Sequence, residues 1–445
     1  TAPRRGRGVP SPSAPARAQP PAVGSTRTIR VPNFDDNTAG NSCDNPISIT
    51  TTVEAVGENS VILVDNERPD NGLTRAHFEQ IAMEFDTLIF AVDTTYFGLP
   101  TDLDVDERIF ILYTPEVNKL SEPNSGSYVG GFFFSGDLFD VSDCAQSNET
   151  EIFYLLAADP LKEFGNTFER DFIRVSTRGT IAHEFQHMIN IGVKIAAPFE
   201  AYDETAWLNE GLSHFAEELV GRRSLNKGVL EELTWTEVTA DQNTYIAFFF
   251  QNFARFEDYL LSPGTSSPTR ENAAQSLSYR GAAWAFVRHL SDHHSDGNVV
   301  AFTRSLVLSP DTGIANTESR TGVPFEDQVR GFLVALAADD AGIPNLDPVY
   351  EYASWRLIDA MSCFATPRDP SDPLLPCGNG EYQLNVRSLA GVPDVGTRLS
   401  ILSGSGAYYL GSYPGTTPTL AVQLLSNTGQ QLNAAGARMF VLRMD

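Results

Sequence analysis

Apolar residues in the first third of the chain gather in short runs. "SVILVDN" at 60–66, "RIFILYTPEV" at 108–117 and "EIFYLLAADP" at 151–160 are aliphatic and β-branched. Each is bounded by turn formers, so each predicts a strand. "SYVGGFFFSGD" at 127–137 is aromatic and glycine-rich, which suits an edge strand that another backbone can approach. Between the first two runs the period lengthens: Phe78, Ile81, Phe85 and Ile89 recur at helical spacing.

From 176 to about 362 the pattern is mainly helical. The segments 179–195, 205–220, 242–262, 277–292, 325–339 and 348–362 carry apolar residues three and four apart. Beyond Cys377 short runs such as "YQLNVRSLAG", "TRLSILSG" and "LAVQLLSN" are punctuated by Gly, Pro and Asn, predicting a small all-β domain of sandwich type. At the other end, residues 1–27 are Pro-, Ala- and Arg-rich with hardly a large apolar side chain, and read as a disordered tail. The expected organisation is α+β: a tail to 27, a mixed-sheet part over 28–178, a helical part over 179–362, and a disulfide loop with the β-domain over 363–445.

Composition sharpens this picture in two respects. Acidic residues outnumber basic ones by 57 to 31, a formal charge of -26, so nucleic acid and anionic membranes repel the chain and neither is an expected partner. No run of about 18 apolar residues exists to span a bilayer. The four cysteines, Cys43, Cys144, Cys363 and Cys377, form no CxxC pair; the expected pairing is Cys43–Cys144 and Cys363–Cys377, the latter closing "CFATPRDPSDPLLPC". Disulfides and scarce lysine suit an exported protein. The chain starts at Thr1 with no initiator Met, and a removed signal segment is the corresponding expectation.

The chemistry concentrates in "TIAHEFQHMIN" at 180–190. Four residues is about one helical turn, so His183 and His187 aim both imidazoles at one point, an arrangement that zinc accepts. Glu184 projects beside the pair, placed to take a proton from a water as general base. Ile181, Phe185, Met188 and Ile189 give the same helix a face to pack. A catalytic zinc takes a third protein ligand and keeps one position open. In "ETAWLNEGLSHFAEELV" the stripe Leu208, Leu212, Phe215 and Leu219 packs, while Glu210, His214 and Glu217 share another face. Glu210 is the favoured third ligand; Glu200, Asp203, Glu204 and His214 are the alternatives.

HEFQH followed by the glutamate of "WLNEGLS" resembles the gluzincin group of zinc metallopeptidases, and the layout with "HEFQHMI" and "WLNEGLSHFAEEL" looks closest to the hyicolysin family. The likeness is specific over about 179–220. It implies a zincin-like catalytic unit, Zn2+ held by His183, His187 and Glu210, polypeptide substrates and secretion. Thermolysin-like enzymes carry an Asp four residues after the third ligand, where this chain has His214; Glu217 stands one turn on as a substitute partner for the first histidine. The "GAMEN"-type signature of aminopeptidases is absent, which favours an endopeptidase. "SLSYRGAAWAFVRHL" makes Tyr279 a candidate oxyanion stabiliser, with Tyr202, Tyr245 and His214 as alternatives.

Two further clusters are weaker. His289, His293 and His294 end a helix, where histidines commonly serve only the helix dipole. Asp102, Asp104 and Asp106 alternate as in Ca2+ loops but without the glycine and glutamate such loops need. The expected activity is zinc-dependent endoproteolysis; a non-catalytic metal-binding adhesion or scaffold protein, and a zinc hydrolase of non-peptide amides or esters, are the alternatives.

Overall fold

The structure, a computed structural model, describes residues 19–34, 43–124, 127–197, 203–269, 277–365, 381–388, 403–411 and 439–441. It is α+β, with a six-stranded mixed sheet and a larger helical part. The strands are β1 (Thr26–Val31), β2 (Ile47–Val56), β3 (Ser60–Asp65), β4 (Ile109–Thr114), β5 (Gly131–Phe133) and β6 (Ile152–Leu156), in the order β1-β2-β3-β4-β6-β5. β3, β4 and β6 run parallel, and β1, β2 and β5 add antiparallel margins. Every residue of the three parallel strands is buried, as expected when both faces of a sheet are covered. Thr26 and Arg27, assigned to the tail by composition, are the first positions of β1. The predicted strand over 127–137 shrinks to three residues, but its place at the margin matches the expectation.

α1 (Arg75–Glu84) and α2 (Phe90–Phe97) link β3 to β4, with a π-helical segment at Phe85–Ile89 between them. That segment sets Phe85 and Phe90 against Phe185, with ring centroids 5.2 and 5.6 Å away, so the β-part and the long helix after the sheet share one core. The short α3 (Pro115–Asn118) follows β4. A disulfide joins Cys43 to Cys144 as expected. Cys363 is also disulfide-bonded, and Cys377 lies outside the described residues.

The helical part comprises α4 (Arg170–Ala196), α5 (Ala206–Ser224), α6 (Trp235–Val238), α7 (Gln242–Phe248), α8 (Phe250–Leu261), α9 (Ser278–His294), α10 (Val299–Val307), α11 (Gly313–Thr321), α12 (Phe325–Ala338) and α13 (Leu357–Phe364). The single helix expected over 242–262 breaks at Phe249 into α7 and α8. A continuous Phe248–Phe250 run hides that break, because apolar residues on both sides of it are buried. The helix expected over 348–362 begins as a 3-10 turn at Pro348–Tyr350 and becomes α-helical only at Leu357.

Of the expected C-terminal β-domain, the described residues include one parallel pair, β7 (Val386–Ser388) and β8 (Tyr408–Leu410). This pair rests on the helices: Asn385 N–H donates to Leu260 O at 2.9 Å, and Tyr408 Oη to Leu333 O at 2.7 Å. Among the described residues no helix is long and apolar enough to cross a membrane.

Candidate metal centre

α4 and α5 deliver the site, and glycines let them reach it. A Cβ on Gly179 would stand 1.9 Å from Ala247 O on α7, and one on Gly211 would stand 2.9 Å from Val287 Cγ2 on α9. Only a residue without a side chain permits those approaches. Ile181, Phe185, Met188 and Ile189 of α4 and Leu208, Leu212, Phe215 and Leu219 of α5 are buried, which turns the polar faces of the two helices toward each other.

On those faces His183 Nε2 stands between His187 and Glu210, and His183, Glu210 and His214 offer ligand atoms within 4.8 Å of one another. His187 Nε2 lies 3.1 Å from His183 Nε2, and His183 Nε2 lies 3.3 Å from Glu210 Oε2. Tetrahedral donors about 2.0–2.1 Å from a common zinc would stand roughly 3.3 Å apart. The far side of each ring fixes its proton. His183 Nδ1 is 2.8 Å from Glu217 Oε1, and an ionised carboxylate only accepts, so Nδ1 carries the hydrogen. His187 Nδ1 is 2.9 Å from Ser213 Oγ, whose own proton goes to Gln186 Oε1 at 2.5 Å. Ser213 therefore accepts from His187. The two Nε2 atoms then present lone pairs to each other, and that of His183 also faces Glu210 Oε2, which is buried and has no hydrogen-bond partner. Neighbouring lone pairs repel unless a cation sits among them, so this donor set fits a divalent ion.

Burial pulls His183 down, but the Glu210 and Glu217 carboxylates beside it prevail and lift it to about 9. Burial and then the His183 charge push His187 down to about 4. For Glu210 burial is opposed by Arg280 and then His183, leaving it far below the usual carboxylate range. Glu217 falls to about 2: burial raises it, but His214 and the His183 contact outweigh that.

Glu184 stands apart from the donors and has a different partner. In the antiparallel β5–β6 pairing Leu156 N–H donates to Gly130 O at 3.1 Å, so the amides of residues 131 and 133 point away from the sheet. Phe133 N–H uses that direction to donate to Glu184 Oε2 at 2.8 Å. Close approach is again a glycine effect, since a Cβ on Gly131 would meet Thr180 Cγ2 of α4 at 2.9 Å and Tyr154 O at 2.7 Å. Burial raises the Glu184 carboxyl, with the nearby His183 charge opposing.

Among the alternative ligands, His214 also lies near: its Nε2 is 3.9 Å from Glu210 Oε2. The Arg255 guanidinium, however, stands 3.0 and 3.1 Å from its two ring nitrogens, and a fixed cation there disfavours a second. His214 instead shares Glu217 Oε1 with His183, at 2.7 Å. Glu204 is buried and occupied by Lys194, Gly313 N–H and Asn316. Asp203 is exposed, and Glu200 and Tyr202 lie outside the described residues. Tyr279 is buried beside Arg280 at the start of α9, and Tyr245 packs on Trp235 at 5.6 Å.

Sequence reasoning missed two polar contributors. Ser213 orients His187, and Arg280 Nη2 forms an ion pair with Glu210 Oε1 at 2.7 Å. Ser213 stands three residues after Glu210, a spacing that places it on the same face and was the available signal. For Arg280 the signal was only its adjacency to Tyr279.

Outside the centre, the carboxylates of Asp102, Asp104 and Asp106 do come together, within 4.8 Å of one another. His289 and His293 donate through Nε2 to Val349 O and Glu351 O at 2.8 and 2.7 Å. His289 is fully buried, so it serves packing and not a helix-end surface.

The helix pair thus presents imidazole and carboxylate donors, with Glu184 alongside and the β5 margin next to it. No family model matches the chain. Over 157 residues, 35% of this chain, it is 31% identical to the neutral metalloprotease ShpI of Staphylococcus hyicus. The match spans 34% of that protein, so the chain covers about a third of the relative's length. This similarity supports a metalloprotease family and, with it, a metal cofactor.

Proposed function

We propose that the protein is a secreted zinc-dependent endopeptidase of gluzincin type, with His183, His187 and Glu210 as the metal ligands and Glu184 as the general base. The observation that carries this reading is that His183 Nε2 stands 3.1 Å from His187 Nε2 and 3.3 Å from Glu210 Oε2, a buried carboxylate oxygen with no hydrogen-bond partner. A bound zinc supplies Lewis acidity toward a carbonyl and acidifies water. Everything else falls to the chain. Ser213 and Glu217 hold the two imidazoles as Nδ1–H tautomers. Phe133 N–H fixes one oxygen of Glu184 and leaves the other to receive a proton, while burial raises that carboxyl so that it can hold the proton and return it to the leaving amine. An extended peptide would lie beside the β5 margin, pairing with the outward main-chain groups of Gly131 only, since the Phe133 amide is held by Glu184. Tyr279 is the proposed oxyanion donor. The Cys43–Cys144 disulfide accords with an extracellular location.

The test is casein cleavage with and without a chelator, alongside zinc content and a Glu184→Gln variant. The expectation is about one zinc per chain in both proteins, with cleavage abolished by chelation and by the substitution. Full cleavage by Glu184→Gln would remove the proposed base; zinc binding with no cleavage by the parent protein would remove the enzyme.

A further inference from the structure

The two oxygens of Glu210 live in opposite surroundings. Oε1 forms an ion pair with Arg280 Nη2 at 2.7 Å, and Oε2, buried and without a hydrogen-bond partner, faces His183 Nε2 at 3.3 Å. A carboxylate with both oxygens idle can chelate a cation through the pair; one with Oε1 engaged by a guanidinium offers a single oxygen. Arg280 cannot drift from this duty. It sits in the first turn of α9, and the next residue, Gly281, presses that turn onto the α8 backbone. A Cβ there would stand 2.3 Å from Phe256 N and 2.4 Å from Arg255 C. The guanidinium is also directed at the reacting region, since its charge acts on Glu184 and His187 as well as Glu210.

Resting on the metal site proposed above, we infer that Arg280 is a positioning residue that holds Glu210 to one-oxygen ligation and so keeps a coordination place free for water and substrate. Three protein donors and an open corner is the arrangement that catalysis needs, whereas a fourth protein oxygen would fill the corner. Arg280 thus acts through Glu210 and differs from a residue that merely stabilises α9. Replacing it with a side chain that cannot donate lets the carboxylate rotate both oxygens toward the ion.

The probe is Co2+ bound to the full chain, whose visible absorption is strong in four-coordinate sites and weak at higher coordination number. The parent protein should give the strong spectrum. Arg280→Met and Arg280→Ala should each bind Co2+ with a weakened spectrum, and their zinc forms should lose roughly 10–100-fold in kcat with little change in KM. Arg280→Lys, which keeps one donor for Oε1, should restore much of the intensity. A parent protein that binds no Co2+ would overturn the metal site itself. Parent binding with unaltered spectra in the Met and Ala variants would overturn only the role of Arg280, as would failure of both variants to fold, which would make it a folding residue.

Discussion

Gly179 offers a test in which two physical effects of opposite sign compete. It lies mid-helix in α4, four residues before His183, where glycine normally weakens a helix. On propensity alone Gly179→Ala should stabilise the protein by about 0.8–1.0 kcal/mol. The packing argues the reverse. The added methyl would stand 1.9 Å from Ala247 O, whereas Cβ contacts under 3.0 Å are essentially never seen, and the obstacle is backbone that no rotamer can move aside. α4 and α7 must therefore separate by roughly 1 Å, and overpacking of that sort costs about 1–3 kcal/mol. The net expectation is a loss of up to about 2 kcal/mol, read as a lower Tm of the metal-free protein by circular dichroism. Because His183 rides on the displaced turn, a shift of this size also predicts a fall of about 100-fold in cleavage rate. A variant that melts at or above the parent temperature and retains full cleavage would refute the close-approach argument.

Glu217→Ala removes the one acceptor shared by His183 and His214. Zinc affinity, read by competition with a chromophoric chelator, should fall about 10–100-fold, and unchanged affinity would sever the link between Glu217 and the site. A third expectation concerns pH. Burial lifts Asp137 from 3.8 to about 7 against hydrogen bonds from Asn148 and Tyr154. The folded chain holds this proton more tightly than the unfolded chain, so the stabilisation is complete below about pH 4 and is lost as pH rises through about 7. Asp137→Asn keeps an acceptor for Asn148 and cannot ionise. Its Tm relative to the parent should therefore climb between pH 4 and 7 and then level off; a difference independent of pH would contradict the assignment.

What could be read in advance was what local spacing dictates. His183, Glu184 and His187 are set by one turn of helix, and Glu210 by the leucine stripe that turns its face inward. The strands β3, β4 and β6 were equally plain, because both faces are covered and the runs are apolar throughout. β1 and β2 were not, since "TRTIRV" and "ISITTTVEAV" alternate polar and apolar residues without a strong apolar run. Ser213, Arg280 and the Phe133 amide gain their roles only when separate elements meet, and no periodicity encodes such meetings. α10 and α11 were missed because their segments run only nine residues each, too short for a helical period to stand out.

The amide of Phe133 has a second consequence. An open sheet margin is a template on which another copy of the chain can add a strand, and repeated addition leads to aggregates. β5 is only three residues long, and one of its outward donors is already engaged by a carboxylate from α4. A visiting strand would meet a negative charge where it needs a free amide, so this border discourages self-templating along the sheet.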